Sequence, residues 1–334
     1  MNRTITDWKK ARIIVTNDDG IQAQGIRFLY EIARELTDDV WVSAPELEQS
    51  GASHSLTLRR PLRRRRTEPN WFAVDGTPTD SVLMGVTQIM NDRRPDLVLS
   101  GINRGANLGE DVTYSGTVAG AREGTMLGIP SIALSLAVAL NKKAHWETPR
   151  KLGADLIRRL LKGGWTPNTI INVNFPDLPP EQVKGVEVAG LARRKLGTHW
   201  VEGTDPHGAA YYWLGMQRDT EVQPGTDLYA VVNGSISVTP VQLELVHPPS
   251  LEALKNALAW EKFEYAKINR DAPLAMGIGE LNSQGAAGWE LVRVMYLPPR
   301  VSPGIGAEGY ERLPGSFTYY FIRQLPVGAP VEPG

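Results

Sequence analysis

Two adjacent carboxylates, Asp18 and Asp19, close the short apolar run of "IIVTNDDGI" and are followed at once by Gly20. Placed about 4 Å apart, two such charges repel by roughly 4 kcal/mol at an effective dielectric near 20. A chain relieves this by letting the side chains diverge, as neighbouring strand residues do, or by turning so that both face one divalent cation. Gly20 permits the sharp turn. Asp-Gly also occurs in ordinary turns, so this stretch alone leaves both readings open. Ser50 and Asn103 offer neutral oxygens at two later strand ends, on the same edge of a sheet if the strands run parallel. Carboxylates with a hydroxyl and an amide oxygen suit Mg²⁺ or Mn²⁺ better than zinc; each of these two residues also reads as a loop hydrogen bonder. Ser115, Gly116 and Thr117 precede the small residues Val118 to Ala121. Hydroxyls and free N–H groups at a helix start make a phosphate cradle, or Ser115 is a plain N-cap.

The elements that must position these groups follow from periodicity. Ile13, Ile14 and Val15 read as a central strand covered on both faces. Gly25, Ile26, Phe28, Leu29, Ile32 and Leu36 recur at helical spacing, so the two acids fall at a strand-to-helix turn, where open α/β sheets place ligands. Val40–Ser43, Leu97–Leu99, Ile132–Leu134 and Ile170–Pro176 read as further strands, with a helix near Ala154–Leu161. Thr77, Pro78 and Asp80 form an N-terminal helix cap, a structural role. Strands alternating with helices predict an α/β fold, a Rossmann-like, doubly wound and mostly parallel sheet. "LARRKLGTHWVEGTDPHGAAYYWLG" carries hairpin signals and predicts a protruding β-arm. "TDLYAVVNGSISVTP" predicts a short helix and a strand. Composition changes near "HPPS" (His247–Ser250), read as a linker. Residues 1–250 are therefore expected to form one domain and 251–334 a small α+β domain, with Trp260, Phe263, Tyr265, Trp289, Leu291, Tyr296 and Phe321 available for its core.

Composition sets the bounds. The 334 residues carry 36 basic and 37 acidic side chains, which gives no general pull toward nucleic acid or membrane. Cysteine is absent, so disulfides and thiolate metal sites are excluded. No apolar run reaches spanning length, and "MNRTITDWKK" lacks the apolar core of a signal peptide, so the expected location is cytoplasmic. "RRPLRRRR" (Arg59–Arg66) is a local basic cluster, read as a solvated hairpin or loop, or as an anion-attracting patch beside a pocket.

Taken together, "IIVTNDDGI", "SGASHSLTL", "VDGTPTDSV", "PDLVLSGINRGANLGEDVTYSGTVAGAREG", "NVNFP" and "SVTP" resemble the SurE family, the stationary-phase survival proteins, which are metal-dependent nucleotidases. The resemblance runs in order from about Arg12 to about Val246. It implies a Rossmann-like domain with a β-hairpin arm, and a homo-oligomer, dimer or tetramer, formed through swapped C-terminal elements. It implies phosphate release from nucleoside 5′- and 3′-monophosphates and, in some members, attack on short-chain polyphosphate. One divalent cation per subunit, Mg²⁺ or Mn²⁺, is implied on Asp18, Asp19, Ser50 and Asn103. Asp18 and Asp19 carry the catalysis, and Asn103, Ser115, Gly116 and Thr117 the phosphate side. Two departures are an N-terminal extension and the segment after about Leu251, which resembles a small domain of unknown function marked by "LN…GAAGWELV". A domain fused there puts the usual C-terminal swap in question.

The expected chemistry is metal-assisted monoester hydrolysis, with one acid holding the cation and the other orienting a water. A covalent aspartyl-phosphate on Asp18 stays open beside it, and His54 is a candidate proton donor or a simple loop hydrogen bonder. A dinucleotide oxidoreductase fits poorly, because acids stand where the glycine fingerprint belongs. A nucleotide- or RNA-binding module using Arg59–Arg66 is the non-catalytic alternative; nucleic acid is otherwise not an expected partner.

Overall fold

The computed structural model describes residues 5–138, 142–196, 200–214, 218–220, 222–258, 262–271, 278–287, 290–297, 300–303, 310–313 and 316–325. The first strand, β1 (Arg12–Thr16), is buried on both faces as its β-branched run predicts. Ile13 and Val15 pack in one cluster with Ile26, Leu29 and Ile32 of α1 (Gln24–Arg34), while Ile14 faces the other way, toward Val82 and Val98. Fully burying each such side chain stabilises by roughly 1.5–3 kcal/mol. That alternation locks the register of β1 and therefore the place where Asp18 and Asp19 emerge.

Next come β2 (Asp39–Pro45), β3 (Arg64–Glu68), β4 (Trp71–Val74), α2 (Pro78–Met84) and β5 (Leu97–Arg104). They are followed by α3 (Gly116–Met126), β6 (Ser131–Ala137), α4 (Glu147–Leu161) and β7 (Thr169–Pro176). The remaining strands of this unit are β8 (Val186–Val188), β9 (Arg194–Leu196), β10 (Trp200–Thr204), β11 (Ala210–Leu214) and β12 (Arg218–Thr220). Helix α5 (Asp227–Val232) and β13 (Ile236–Gln242) close it.

The main sheet has the order β3-β4-β2-β1-β5-β6-β7-β13-β8. From β4 to β7 every pairing is parallel, while β3 and β13 join antiparallel. The chain runs outward one way from β1 through β2 to β4 and the other way from β5 to β7. The switch point therefore lies between β1 and β5, and crevices at such points receive ligands. The Thr77 cap is present as a reciprocal pair: its hydroxyl accepts from Asp80 N–H, and Asp80 accepts from Thr77 N–H at 2.9 Å. Beyond the sheet, β9 pairs with β12 and β10 with β11, an arm on which Trp200, Tyr211, Tyr212 and Trp213 are exposed.

The chain divides into two compact units, Met1–Leu245 and Val246–Gly334. The second contains α6 (Pro248–Ala257), β14 (Lys262–Asp271), α7 (Ile278–Ala286), β15 (Glu290–Leu297), β16 (Arg300–Pro303), β17 (Tyr310–Leu313) and β18 (Ser316–Leu325). Strands β14, β18 and β15 form an antiparallel sheet, and β16 pairs with β17. "HPPS", expected as a linker, instead opens α6, because proline is well suited to the first turn of a helix. Of the expected aromatic core, Trp260 and Trp289 lie outside the described residues; Phe263 and Tyr265 fall on β14, Leu291 and Tyr296 on β15, and Phe321 on β18. Among the described residues, no helix is long and apolar enough to cross a membrane.

Candidate active site

The turn after β1 is shaped from inside. Asn17 is fully buried and its Nδ2 donates to the Gly20 carbonyl at 2.8 Å. Gly20 takes φ +91°, where a side chain is strained, and lies against the backbone of Leu47 and Glu48. Backbone bonds from Ile21 N–H to Pro45 (2.8 Å) and from Gln49 N–H to the Asp18 carbonyl (2.8 Å) tie this turn to the loop bearing Ser50. Asp18 is 5% exposed, and its Oδ1 accepts a hydrogen bond from the Thr117 hydroxyl. Gly116 is required beside it: a Cβ there would lie 2.7 Å from the Cβ of Asp18. The phosphate-like motif "SGT" and the "DD" pair, 99 positions apart, therefore specify one packed contact.

Asp19 is half-buried, with Oδ2 accepting a long 3.4 Å bond from Arg104 N–H. Burial, and then the neighbouring charge of Asp18, push its carboxyl from 3.8 up to about 6. Burial also raises Asp18, opposed by the Thr117 hydrogen bond. Asn103 sits near the end of β5, just past an irregularity in the β5–β6 ladder between Ser100 and Asn103, the kind of bulge that re-aims a side chain. Its Nδ2 donates to the Gly105 carbonyl at 2.9 Å, which leaves Oδ1 as its acceptor. Ser50 is exposed and donates to Glu48 Oε1 at 2.8 Å.

Asp18, Asp19, Ser50, Asn103 and Ser115 line a single cavity of about 760 Å³. Gly116 and Thr117 do not; Thr117 is completely buried and reaches the cavity only through Asp18. Ser115 caps α3, its Oγ accepting from Val118 N–H at 3.1 Å, so the capping role and the place at the cavity coexist. His54 is outside the lining, paired through Nε2 with the buried Glu123 of α3 at 3.0 Å. Ser53 N–H and Oγ also bond the carbonyls of Tyr114 (3.2 Å) and Thr113 (2.7 Å), so this loop clasps the start of α3.

Several groups that sequence reading passed over also border the cavity: Glu48, Arg104, Asn107 and Trp146. Asn107 explains "NVNFP". Its carbonyl accepts from Asn172 Nδ2 (2.8 Å) and Asn174 Nδ2 (3.1 Å), its N–H donates to Asn174 Oδ1 (2.8 Å), and its own Nδ2 donates to Ser135 (2.8 Å). Two asparagines alternating in an otherwise apolar strand were the available signal, since buried amides demand partners. The fully buried Asp227 likewise accepts from the N–H groups of Gly109 (2.9 Å), Ala192 (2.8 Å) and Leu228 (2.8 Å), joining the cavity loop to the base of the arm. Part of the basic cluster is the edge strand β3; Arg60 pairs with Asp75 at 3.3 Å and Arg65 with Glu46, and none of Arg59–Arg66 lines the cavity.

Among the described residues no three His, Cys, Asp or Glu side chains form a metal-binding group. The donors at hand are two adjacent carboxylates with a hydroxyl and an amide oxygen, all on one cavity, which is the chemistry of a hard cation.

Residues 13–198 match the family described as survival protein SurE. The chain is 54% identical over 254 residues to the 5′-nucleotidase SurE of Paramagnetospirillum magneticum, covering 76% of this chain and 98% of that one. It is 52% identical over 239 residues to the 5′-nucleotidase SurE of a Bradyrhizobium species, covering 70% and 94%. Among solved structures, the SurE protein from Aquifex aeolicus superimposes with a TM-score of 0.66 at 40% identity, over 74% of this chain and 99% of that one.

Proposed function

This chain belongs to the SurE family, and from that membership and the geometry of the cavity we propose that it is a 5′-nucleotidase, a divalent-cation-dependent phosphomonoesterase. Its substrates on this reading are nucleoside 5′- and 3′-monophosphates, with short-chain polyphosphate as a further one. The observation that carries the reading is the pair of adjacent carboxylates, one buried and one half-buried, at the sheet's switch point, opening on a cavity of about 760 Å³.

Asp18, Asp19, Ser50 and Asn103 would hold the cation, Mg²⁺ or Mn²⁺. When bound, the cation supplies positive charge for the phosphoryl oxygens and a more acidic water. Asp18 is fixed by burial and by Thr117, so it is the immobile ligand. The same bond occupies one of its oxygens, which favours a ligand over a phosphate-accepting nucleophile. Asp19, less buried than Asp18 and lining the cavity, takes the proton of the attacking water. The water oxygen bonds to phosphorus as the bond to the nucleoside oxygen breaks, and that oxygen is protonated from solvent. Ser115, the positive end of α3 and the guanidinium of Arg104 stabilise the equatorial oxygens. Thr117 and Gly116 act through Asp18, one by its hydrogen bond and one by the space it leaves.

The exposed aromatics of β10 and β11 support a homo-oligomer, dimer or tetramer. The RNA-binding alternative is weakened by the acidic partners of Arg60 and Arg65. Phosphate release from a panel of nucleoside 5′- and 3′-monophosphates, with Mg²⁺ or Mn²⁺ and with excess chelator, tests the reading. Turnover is expected only with the cation; equal turnover in chelator would end it.

A further inference from the structure

The acidic residues account for the reacting phosphate but not for the rest of the cavity. A volume of about 760 Å³ falls in the range that encloses whole small molecules. Its wall also includes Ala23, Gly25 and the indole of Trp146, apolar groups with no business with a phosphate. We propose that the nucleobase of the substrate stacks on the indole of Trp146, which makes this ring the specificity element of the site. The inference rests on the phosphomonoesterase reading of the same cavity.

Three observations carry it. The ring borders the reacting end: a Cβ on Gly25 would lie 3.4 Å from Trp146 Cη2 and would collide, at 1.9 Å, with the carbonyl of Ile102, the residue before Asn103. The indole is also held still. It packs on Phe28 at 5.4 Å between ring centroids, tilted by 45°. The backbone on either side is pinned: His145 donates through its N–H to Asp177 Oδ1 at 2.9 Å with its Nδ1 3.1 Å from the same oxygen, and Thr148 Oγ1 donates to the Leu178 carbonyl. A braced aromatic face gives up little conformational freedom when a base settles on it. Finally, Trp146 is half-buried yet still lines the cavity, so one part of the ring is packed and another is open to a ligand. Tyr114, the other aromatic on the cavity, is 54% exposed and has no ring partner among the described residues. It makes the poorer platform. Stacking reads no hydrogen-bond pattern, so the site tolerates all bases and favours the larger purine ring.

The test compares Trp146→Leu, Trp146→Phe and Tyr114→Ala in the full chain on AMP, CMP and ribose 5-phosphate, with inhibition by inorganic phosphate as a base-free readout of the reacting end. Trp146→Leu should lower kcat/KM for AMP by about 10- to 100-fold, the usual loss when a base loses its aromatic partner. It should do so chiefly through KM, leave ribose 5-phosphate and phosphate inhibition within about 2-fold, and shrink the AMP-to-CMP ratio. Trp146→Phe should recover most of the AMP activity. An equal fall for AMP and ribose 5-phosphate, or an AMP-selective loss in Tyr114→Ala but not in Trp146→Leu, overturns the stacking proposal and leaves the nucleotidase reading standing. Absence of phosphate release from all three substrates by the parent chain overturns both.

Discussion

Asp18 and Trp146 line the same cavity, yet they are held there by opposite means. Asp18 sits on the floor at the end of a strand locked by burial on both faces, in contact with Thr117 and with the gap left by Gly116. Trp146 belongs to the wall, at the start of α4, and is placed by Phe28 of α1 and, through its neighbours His145 and Thr148, by Asp177 and Leu178 just after β7. The floor is rigid because a displaced residue would leave a buried charge without its hydrogen bond, a costly state. The wall can change with loss of affinity rather than loss of chemistry. Floor substitutions should therefore strike turnover, and wall substitutions should strike KM.

The sharpest way to break this contrast is Asp18→Asn, which should lower phosphate release by a thousand-fold or more while the circular dichroism and melting cooperativity stay those of the parent. Thr117→Val comes next. It removes the hydroxyl that bonds Asp18, so kcat should fall about 10- to 100-fold with a modest rise in KM, and Thr117→Ser should restore most of it. An unchanged kcat with only a lowered Tm would reduce Thr117 to a packing residue.

Asp19→Asn tests the cost of the floor in the absence of cation. The carboxyl is raised from 3.8 to about 6, so it favours the fold when protonated, below about pH 4, and that favour is lost as pH rises through about 6. At pH 7 the cation-free Asn variant should thus be more stable than the parent by about 1–2 kcal/mol, a figure reduced for the residue's partial exposure. The gain should vanish near pH 4. Thermal melts at both pH values in chelator would check it, and a less stable variant at pH 7 would contradict the account. The smallest effect belongs to the second unit. All proposed site residues, Trp146 included, lie in the first unit, so we propose that the second unit is an appendage for partner binding, oligomer control or substrate access. Ending the chain near Pro249 should leave activity per site within a few fold, even if light scattering shows a different assembly. A folded truncation without turnover would show that the appendage completes the site.

The floor was legible in the sequence because its constraints are local. A β-branched run fixes β1, the "DDG" turn follows from it, and Asn103 and Ser115 stand at the ends of equally plain strand and helix signals. Parallel pairing from β4 to β7 then brings those ends to one edge. What local patterns could not give was direction. Thr117 looks like a phosphate ligand in "SGT", and only the packing of α3 on β5 and β6, beside the end of β1, turns its hydroxyl toward Asp18. Trp146 and Arg104 gave no signal, since an aromatic or a cation reads as core or surface until a cavity opens beside it. Asn107 was hidden for a related reason. Its partners Asn172 and Asn174 lie 65 and 67 positions away, and the network exists only once β7 is in the sheet.

The central claim is that the floor carboxylates hold one divalent cation with the neutral oxygens around them. The most direct measurement is a calorimetric titration of Mn²⁺ into the cation-free full chain and into Asp18→Asn and Trp146→Leu. The account predicts one site per chain in the parent, the same site unchanged in Trp146→Leu, and no site in Asp18→Asn. A parent chain that binds no Mn²⁺, or an Asp18→Asn chain that binds it as the parent does, would contradict it.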